Sequence, residues 1–322
     1  MVGDEPSASC GAWGPLQQTV RVLVRRWQAG RPVDVRATLG PLRRGAGDPT
    51  SRAEGGALWL TARTPEGPGT QRLQRDGTTV DAAAWGPGAA WLLETLPELL
   101  GCGDEEATDF RPEHPLLHDA WRRHPGWRVP RSRRVTETLV PTVLEQKVTG
   151  LEARTSWRRL VLRFGTPAPG PGPAGLRVFP EPEVWARIPS WVWHRAGVGP
   201  DRSRTLVGAT ARAAALERTL ELPRVEAERA LRSLPGVGPW TVAEVRQRAY
   251  GDPDAVSVGD FHLAAQVVYA LTGELGGDDA RMLELLAPYA GHRYRVVRMV
   301  ELSGVAPPRR GPRYAPLDHR TR

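Results

Sequence analysis

Asp260 is the residue in this chain best placed to do chemistry. It stands in Ser257-Val258-Gly259-Asp260-Phe261-His262-Leu263, ahead of an apolar helical pattern. Twenty residues upstream, Trp240 follows a tight glycine-bearing turn, Leu234-Pro235-Gly236-Val237-Gly238-Pro239-Trp240-Thr241. A carboxylate held at such a place could do chemistry, as a base or as a fixed negative charge. An Asp before an apolar run is also a common helix N-cap, accepting backbone N–H bonds. The two roles are compatible, because a cap fixes the position of the group and leaves one oxygen free. Upstream, Gly236 and Gly238 permit backbone conformations that a Cβ would forbid, so successive N–H groups can point outward together. A helix predicted from Pro239 adds unpaired first-turn amides and their positive potential. Phosphate is a natural ligand of such a turn, although an ordinary link between two helices with a glycine cap uses the same residues.

The bulk composition bounds what these groups can act on. The chain has 322 residues, 40% of them hydrophobic and 25% charged, as in a soluble globular protein of two or three domains. Its formal net charge of +8 and pI near 10.3 favour a polyanionic partner, nucleic acid or an anionic membrane surface, though such a balance also serves solubility. Nearly all the basic residues are arginine, and Lys147 is the only lysine. Two cysteines, Cys10 and Cys102, cannot form a four-thiolate metal or iron–sulfur site. The first residues lack an apolar signal core, and no stretch reaches the roughly 18 apolar residues of a membrane span. A cytoplasmic protein is expected.

The elements that must position the site follow from periodicity. Residues 1–17 are expected to be disordered. Between 18 and 115 short strands are predicted at Val20–Val24, Val33–Leu39, 56–62 and 70–74, followed by a helix that begins near Ala89-Ala90-Trp91-Leu92-Leu93. From Leu92 to Phe110 there are acids and no basic residue, so that face is expected to point away from a polyanion. Trp121 to Arg134 has the opposite charge, with six arginines and no acid. Two tryptophans and two prolines interleave with them. This mixture suits a loop lying on a phosphate backbone, or a solvated surface run. From Val135 onward about eight helices and no strand are predicted, with a stiff Pro/Gly linker over 165–175. The predicted class is α+β: a mixed α/β N-terminal domain (18–115), an all-helical domain (116–305), and a basic Pro-rich tail (306–322).

On these residues a family resemblance becomes specific. L-P-G-V-G-P-W-T, followed twenty residues after Trp240 by Asp260 of V-G-D-F-H-L, resembles the helix–hairpin–helix DNA glycosylase superfamily, and within it the bacterial inducible 3-methyladenine DNA glycosylase branch. Leu144-Glu145-Gln146-Lys147-Val148 is similar to that family's Gln-containing helix. The resemblance spans about 18–305. It implies that Asp260 is the catalytic aspartate and that Leu234, Gly236, Val237, Gly238 and Thr241 form the DNA-gripping hairpin. It also implies that Trp240 lines the base pocket. By the same resemblance Val129 is the wedge that fills the gap left by a flipped base, with Arg128 and Arg131 beside it on DNA.

In lyase-type relatives the position of Trp240 holds the Schiff-base lysine. A tryptophan forms no imine, so a monofunctional enzyme is expected. The missing cysteine quartet separates the chain from the endonuclease III-like branch. Two positions depart from the pattern: Glu244 and His292 stand where further pocket aromatics are expected. The resemblance thus implies a cofactor-free, metal-free, monomeric glycosylase acting on double-stranded DNA with a damaged base, an alkylated purine, and associated with the nucleoid. A non-catalytic damaged-DNA-binding protein of the same fold is the alternative. A bifunctional enzyme for oxidised bases is disfavoured by Trp240.

Overall fold

Alternating apolar and polar positions between glycine turns build a five-stranded antiparallel sheet, in the order β1-β5-β4-β3-β2. Its strands are β1 (Leu23–Gln28), β2 (Ser51–Glu54), β3 (Ala57–Thr64), β4 (Gly67–Asp76) and β5 (Thr79–Trp85). The structure is a computed structural model and describes residues 22–104 and 109–308. The N-terminal segment expected to be disordered, Val20 and most of the basic tail lie outside the described residues. Leu58, Leu60 and Ala62 of β3 share one face with Leu73, Val80, Ala82 and Ala84. Helices α2 (Ala89–Glu94) and α3 (Leu96–Leu99) cover that face with Leu92, Leu93 and Leu96.

The predicted strand at Val33–Leu39 is instead a helix, α1 (Val35–Leu39). Asp34 decides it: its Oδ1 accepts from Ala37 N at 2.9 Å, an N-cap that outweighs the alternating valines. Strands β2 and β5 have no counterpart in the sequence prediction.

The helical part comprises α4 (Pro115–Arg123), α5 (Val135–Glu145), α6 (Gly150–Phe164), α7 (Pro182–Ala186), α8 (Ser190–Ala196), α9 (Pro200–Thr210), α10 (Ala213–Arg218), α11 (Arg224–Arg232), α12 (Pro239–Val245), α13 (Leu263–Thr272), α14 (Asp279–Leu286) and α15 (Arg293–Ser303). Two apolar clusters hold it. One surrounds α5 and takes in Trp157, Trp185, Trp193, Leu231 and Val242. The other joins Phe110, Leu117, Trp127 and Val129 to α13, α14 and α15. Among the described residues no helix is long and apolar enough to cross a membrane.

The Pro/Gly stretch 165–175 is no extended spacer. Its ends pair as β6 (Thr166–Pro167) and β7 (Arg177–Val178), and it straps across the first sheet. Gly170, at φ +85°, lies on Trp85, where a Cβ would come within 2.4 Å of the ring. Arg177 N donates to the Pro49 carbonyl at 2.7 Å, and Arg63 Nε to that of Phe179 at 2.8 Å.

The acidic and basic segments also differ from expectation. Arg295 of α15 is fully buried and bonds both oxygens of buried Asp104, at 2.9 and 2.5 Å. Phe110, Trp121 and Trp127 ring that guanidinium at 5.8 to 5.9 Å. Asp104 Oδ2 also accepts from Val129 N at 3.1 Å, which draws the Arg/Trp loop inward. Arg128 and Val129, expected on DNA, are therefore only 2% and 1% exposed. The Arg128 guanidinium donates to the carbonyls of Arg31 and Pro32, and burial pushes its pKa down to about 10. Arg131 reaches solvent but pairs with Glu98 at 3.1 Å, as does Arg133. The two segments thus meet at Glu98 and Asp104 instead of facing opposite ways.

Removing one partner of a buried ion pair strands the other charge, which is destabilising by about 3–5 kcal/mol. Asp104→Ala should lose that much in a urea titration; a loss under about 1 kcal/mol, the scale of a surface pair, would show that Arg295 finds another partner.

Candidate active site

The turn between α11 and α12 needs one of its two glycines for conformation. Gly236 has φ +83°, and a Cβ there would come within 2.0 Å of Thr205 Oγ1 on α9. Gly238 is extended, at φ −95° and ψ −179°, a conformation any residue adopts; a Cβ there would meet nothing within 4 Å. Leu234 and Val237 are buried with Leu231 and Val242, so the hairpin offers its backbone and not their side chains. Thr241 is buried too. Gln146, at the end of α5, donates from Nε2 to Thr241 Oγ1 at 2.8 Å and to the Gly236 carbonyl at 2.9 Å. One amide thereby clamps the turn to the first turn of α12. Asp201, Arg204, Thr205 and Arg212 of α9 and the following turn line a groove beside the hairpin, and Arg204 pairs there with Asp201.

Asp260 serves as the cap that its position allowed. Its Oδ1 accepts from His262 N at 2.9 Å and Leu263 N at 3.0 Å, capping α13. Its Oδ2 is not left free: Trp240 Nε1 donates to it at 3.0 Å. The indole edge and the carboxylate, separated by twenty residues in sequence, thus form one unit. Both are half-buried, while Phe261 beside them is 90% exposed.

The irregular segment 251–262 that carries Asp260 is pinned along its length. Buried Gln247 donates to the Ala255 carbonyl and to Ser257 Oγ, each at 2.9 Å. Ser257 Oγ donates to Glu244 Oε1 at 2.5 Å, and Arg248 pairs with Oε2 at 2.7 Å. Burial lowers the Arg248 pKa, but the Glu244 carboxylate and other nearby charged groups more than offset it, and the net shift is upward. Glu244, expected in the substrate pocket, therefore anchors the Asp260 loop through one oxygen and pairs with Arg248 through the other. Arg246 bridges Glu228 and Asp252 at 2.5 Å each, and Arg295 N donates to the Pro253 carbonyl at 3.2 Å. Asp254 Oδ1 accepts from Gly291 N, Arg293 N and Arg293 Nε at 2.8 to 3.0 Å. None of these anchors stood out in the sequence except Glu244, and that one for another reason.

His292 does not join Trp240. Its ring packs on Phe110 at 5.3 Å and accepts from Arg295 Nε at 3.3 Å, inside the cluster around Asp104. Among the described residues no three His, Cys, Asp or Glu side chains gather as a metal site.

Comparison with solved structures shows that the fold is one found in DNA glycosylases. A 3-methyladenine DNA glycosylase from Archaeoglobus fulgidus superposes with a TM-score of 0.72 over 87% of this chain and 98% of that one, at 18% identity. A complex of MBOgg1 with a low affinity DNA ligand gives 0.69 over 88% and 95%, at 16% identity. An 8-oxoguanine glycosylase/lyase from Clostridium acetobutylicum, bound to duplex DNA, gives 0.66 over 84% and 91%, at 13% identity. In sequence, 153 residues are 36% identical to the probable bifunctional transcriptional activator/DNA repair enzyme AlkA of Mycobacterium tuberculosis. That match covers 46% of this chain, which spans only 30% of the relative's length. No family model matches the chain.

The anchors of the Asp260 loop carry a pH signature. Burial alone would raise the Asp254 pKa, but the hydrogen bonds and charge of Arg293 outweigh it and hold it below its ordinary 3.8. A carboxylate depressed on folding stabilises the protein above its unfolded pKa and ceases to do so as pH falls through the folded one. The stability gap between wild type and Asp254→Asn should be constant near neutrality and close below pH 3.8. Urea titrations at a series of pH values measure it; a gap unchanged in acid would mean that the pairing is not what Asp254 supplies.

Proposed function

We propose that this chain is a DNA glycosylase that rotates a damaged nucleotide out of duplex DNA and hydrolyses its N-glycosidic bond. The substrates are purines alkylated at N3 or N7. The observation that carries this reading is the Trp240–Asp260 pair at 3.0 Å, held at the hairpin by Gln146 and at the loop by Glu244 and Gln247. Hairpin amides and the arginines of the flanking groove suit a phosphate backbone, a contact that fixes register without reading sequence. Rotating a base out of the stack costs a few kcal/mol, least for a damaged base.

An alkylated purine carries positive charge, so it is attracted to an indole face and is already an activated leaving group. Nε1 lies in the ring plane. A hydrogen bond from it to Asp260 therefore turns the edge of Trp240, and not a face, toward the carboxylate. A base on that face has its sugar bond beside Asp260. As C1′–N bond breaking builds oxocarbenium character, the carboxylate stabilises it and directs a water to C1′. Trp240 supplies no amine, so this step is hydrolytic.

Asn at 260 can keep the cap on α13, which separates chemistry from folding. Asp260→Asn should slow single-turnover release of 7-methylguanine by about 10²- to 10⁴-fold while leaving affinity for the duplex nearly unchanged. Unaltered release would sink the assignment. Wild-type binding without any base release would instead make the chain a damage-binding protein. Trp240→Phe keeps a stacking face and removes the donor to Asp260. A hydrogen bond to a charged group is worth about 1.5–3 kcal/mol, so the rate should fall about 10- to 100-fold. Equal rates would leave the indole N–H without a role in the reaction.

A further inference from the structure

Lys147, the only lysine in the chain, lies in the short link between α5 and α6 and is exposed. Its backbone stands at φ +54°; among the described residues Arg133 is the only other non-glycine with positive φ. Such a conformation in a long side chain persists where neighbours over-determine it, and it clusters at functional sites. Here the neighbours are identifiable on both sides. Before it, Gln146 is bonded to Gly236 O and Thr241 Oγ1, and Arg202 Nη1 holds the Leu144 carbonyl at 2.7 Å. After it, Thr149 and Glu152 close a reciprocal capping box on α6. The link is thus clamped at both ends. Its one flexible side chain springs from beside a hydrogen bond to the first turn of α12. The residue that receives that bond, Thr241, adjoins Trp240, whose indole holds Asp260.

We infer that Lys147 gives this chain a second activity, a lyase acting on abasic sites in duplex DNA, with the amine presented from the α5–α6 link and not from α12. The inference rests on the proposed excision only for the origin of the abasic sugar. Tryptophan at 240 removes the amine from the position that supplies it in lyase-type relatives, and leaves Lys147 as the only side chain able to form an imine. The abasic sugar opens to a C1′ aldehyde. The unprotonated Nζ adds to C1′ and water leaves, giving an iminium ion. The C2′ proton, acidified by it, passes to solvent. The electron pair of that C–H bond forms the C2′–C3′ double bond as the C3′–O bond breaks, and the phosphate departs with the electrons of that C3′–O bond. Water then hydrolyses the imine and restores the amine. One strand is cleaved, nothing is oxidised or reduced, and no co-reactant is needed.

A preformed abasic site tests this independently of base excision. The full chain is incubated with a duplex containing one abasic site, with and without sodium borohydride, at protein concentrations that saturate the duplex for every variant. The expected result is strand cleavage without borohydride and a covalent protein–DNA adduct with it, the adduct mapping by peptide mass to Lys147. Lys147→Arg keeps the charge and cannot form the imine; adduct and cleavage should fall by about 100-fold or more, as on removal of a covalent nucleophile. Lys147→Gln should behave alike. Failure of the excision reading would appear as no base release by wild type with the adduct intact. No adduct with wild type, or one undiminished in Lys147→Arg and mapping to the amino terminus, overturns the inference.

Discussion

The buried bond between Asp104 and Arg295 is the constraint on which much else in the molecule depends. Two charges withdrawn from water are tolerated only where each is fully partnered. Here the carboxylate takes two guanidinium bonds and the Val129 amide, and three aromatic rings face the cation. The bond ties the segment after α3 to α15, across 191 residues of sequence. Helix α15 also contributes Arg293 to Asp254 and its own backbone to Pro253. The pair therefore fixes a helix that in turn fixes one side of the loop bearing Asp260.

What the sequence disclosed and what it withheld divide along the same line. The hairpin, the helix after it and Asp260 were legible because their determinants are local: glycine, proline, an apolar period and a cap within a few residues. The roles of Glu244 and Gln247 were not, since their partners are loop atoms with no periodic relation to α12. Arg128 and Val129 were misplaced for a related reason. An arginine run reads as surface until its counter-ion is known, and Asp104 lies 25 residues from Val129 in a segment that itself read as a separate acidic face. The first sheet shows a milder case. Valines at 33 and 35 alternate as a strand would, and only Asp34, three residues before the amide it caps, marks a helix.

Glu244 changes meaning once its contacts are known. In the sequence it is a missing aromatic and a surplus carboxylate beside a cationic base. In the structure Arg248 and Ser257 take both oxygens, so its charge is neutralised within the protein and its rigidity is lent to the loop. A pocket can lose an aromatic face at this position without gaining a free anion there.

The cap and the catalytic reading of Asp260 compete in sequence and cooperate in space. A carboxylate that served only as a cap would be satisfied by His262 N and Leu263 N through one oxygen. The second oxygen could then sit anywhere its torsion allowed. The Trp240 donor removes that freedom, and Trp240 is itself placed by the hairpin that Gln146 clamps. The position of that second oxygen relative to the hairpin is therefore set through covalent and hydrogen-bonded links of one or two residues. That is the kind of preorganisation that makes a single carboxylate effective at a developing charge. Tryptophan is also more than an apolar ring at this position: phenylalanine would leave that carboxylate oxygen without its donor.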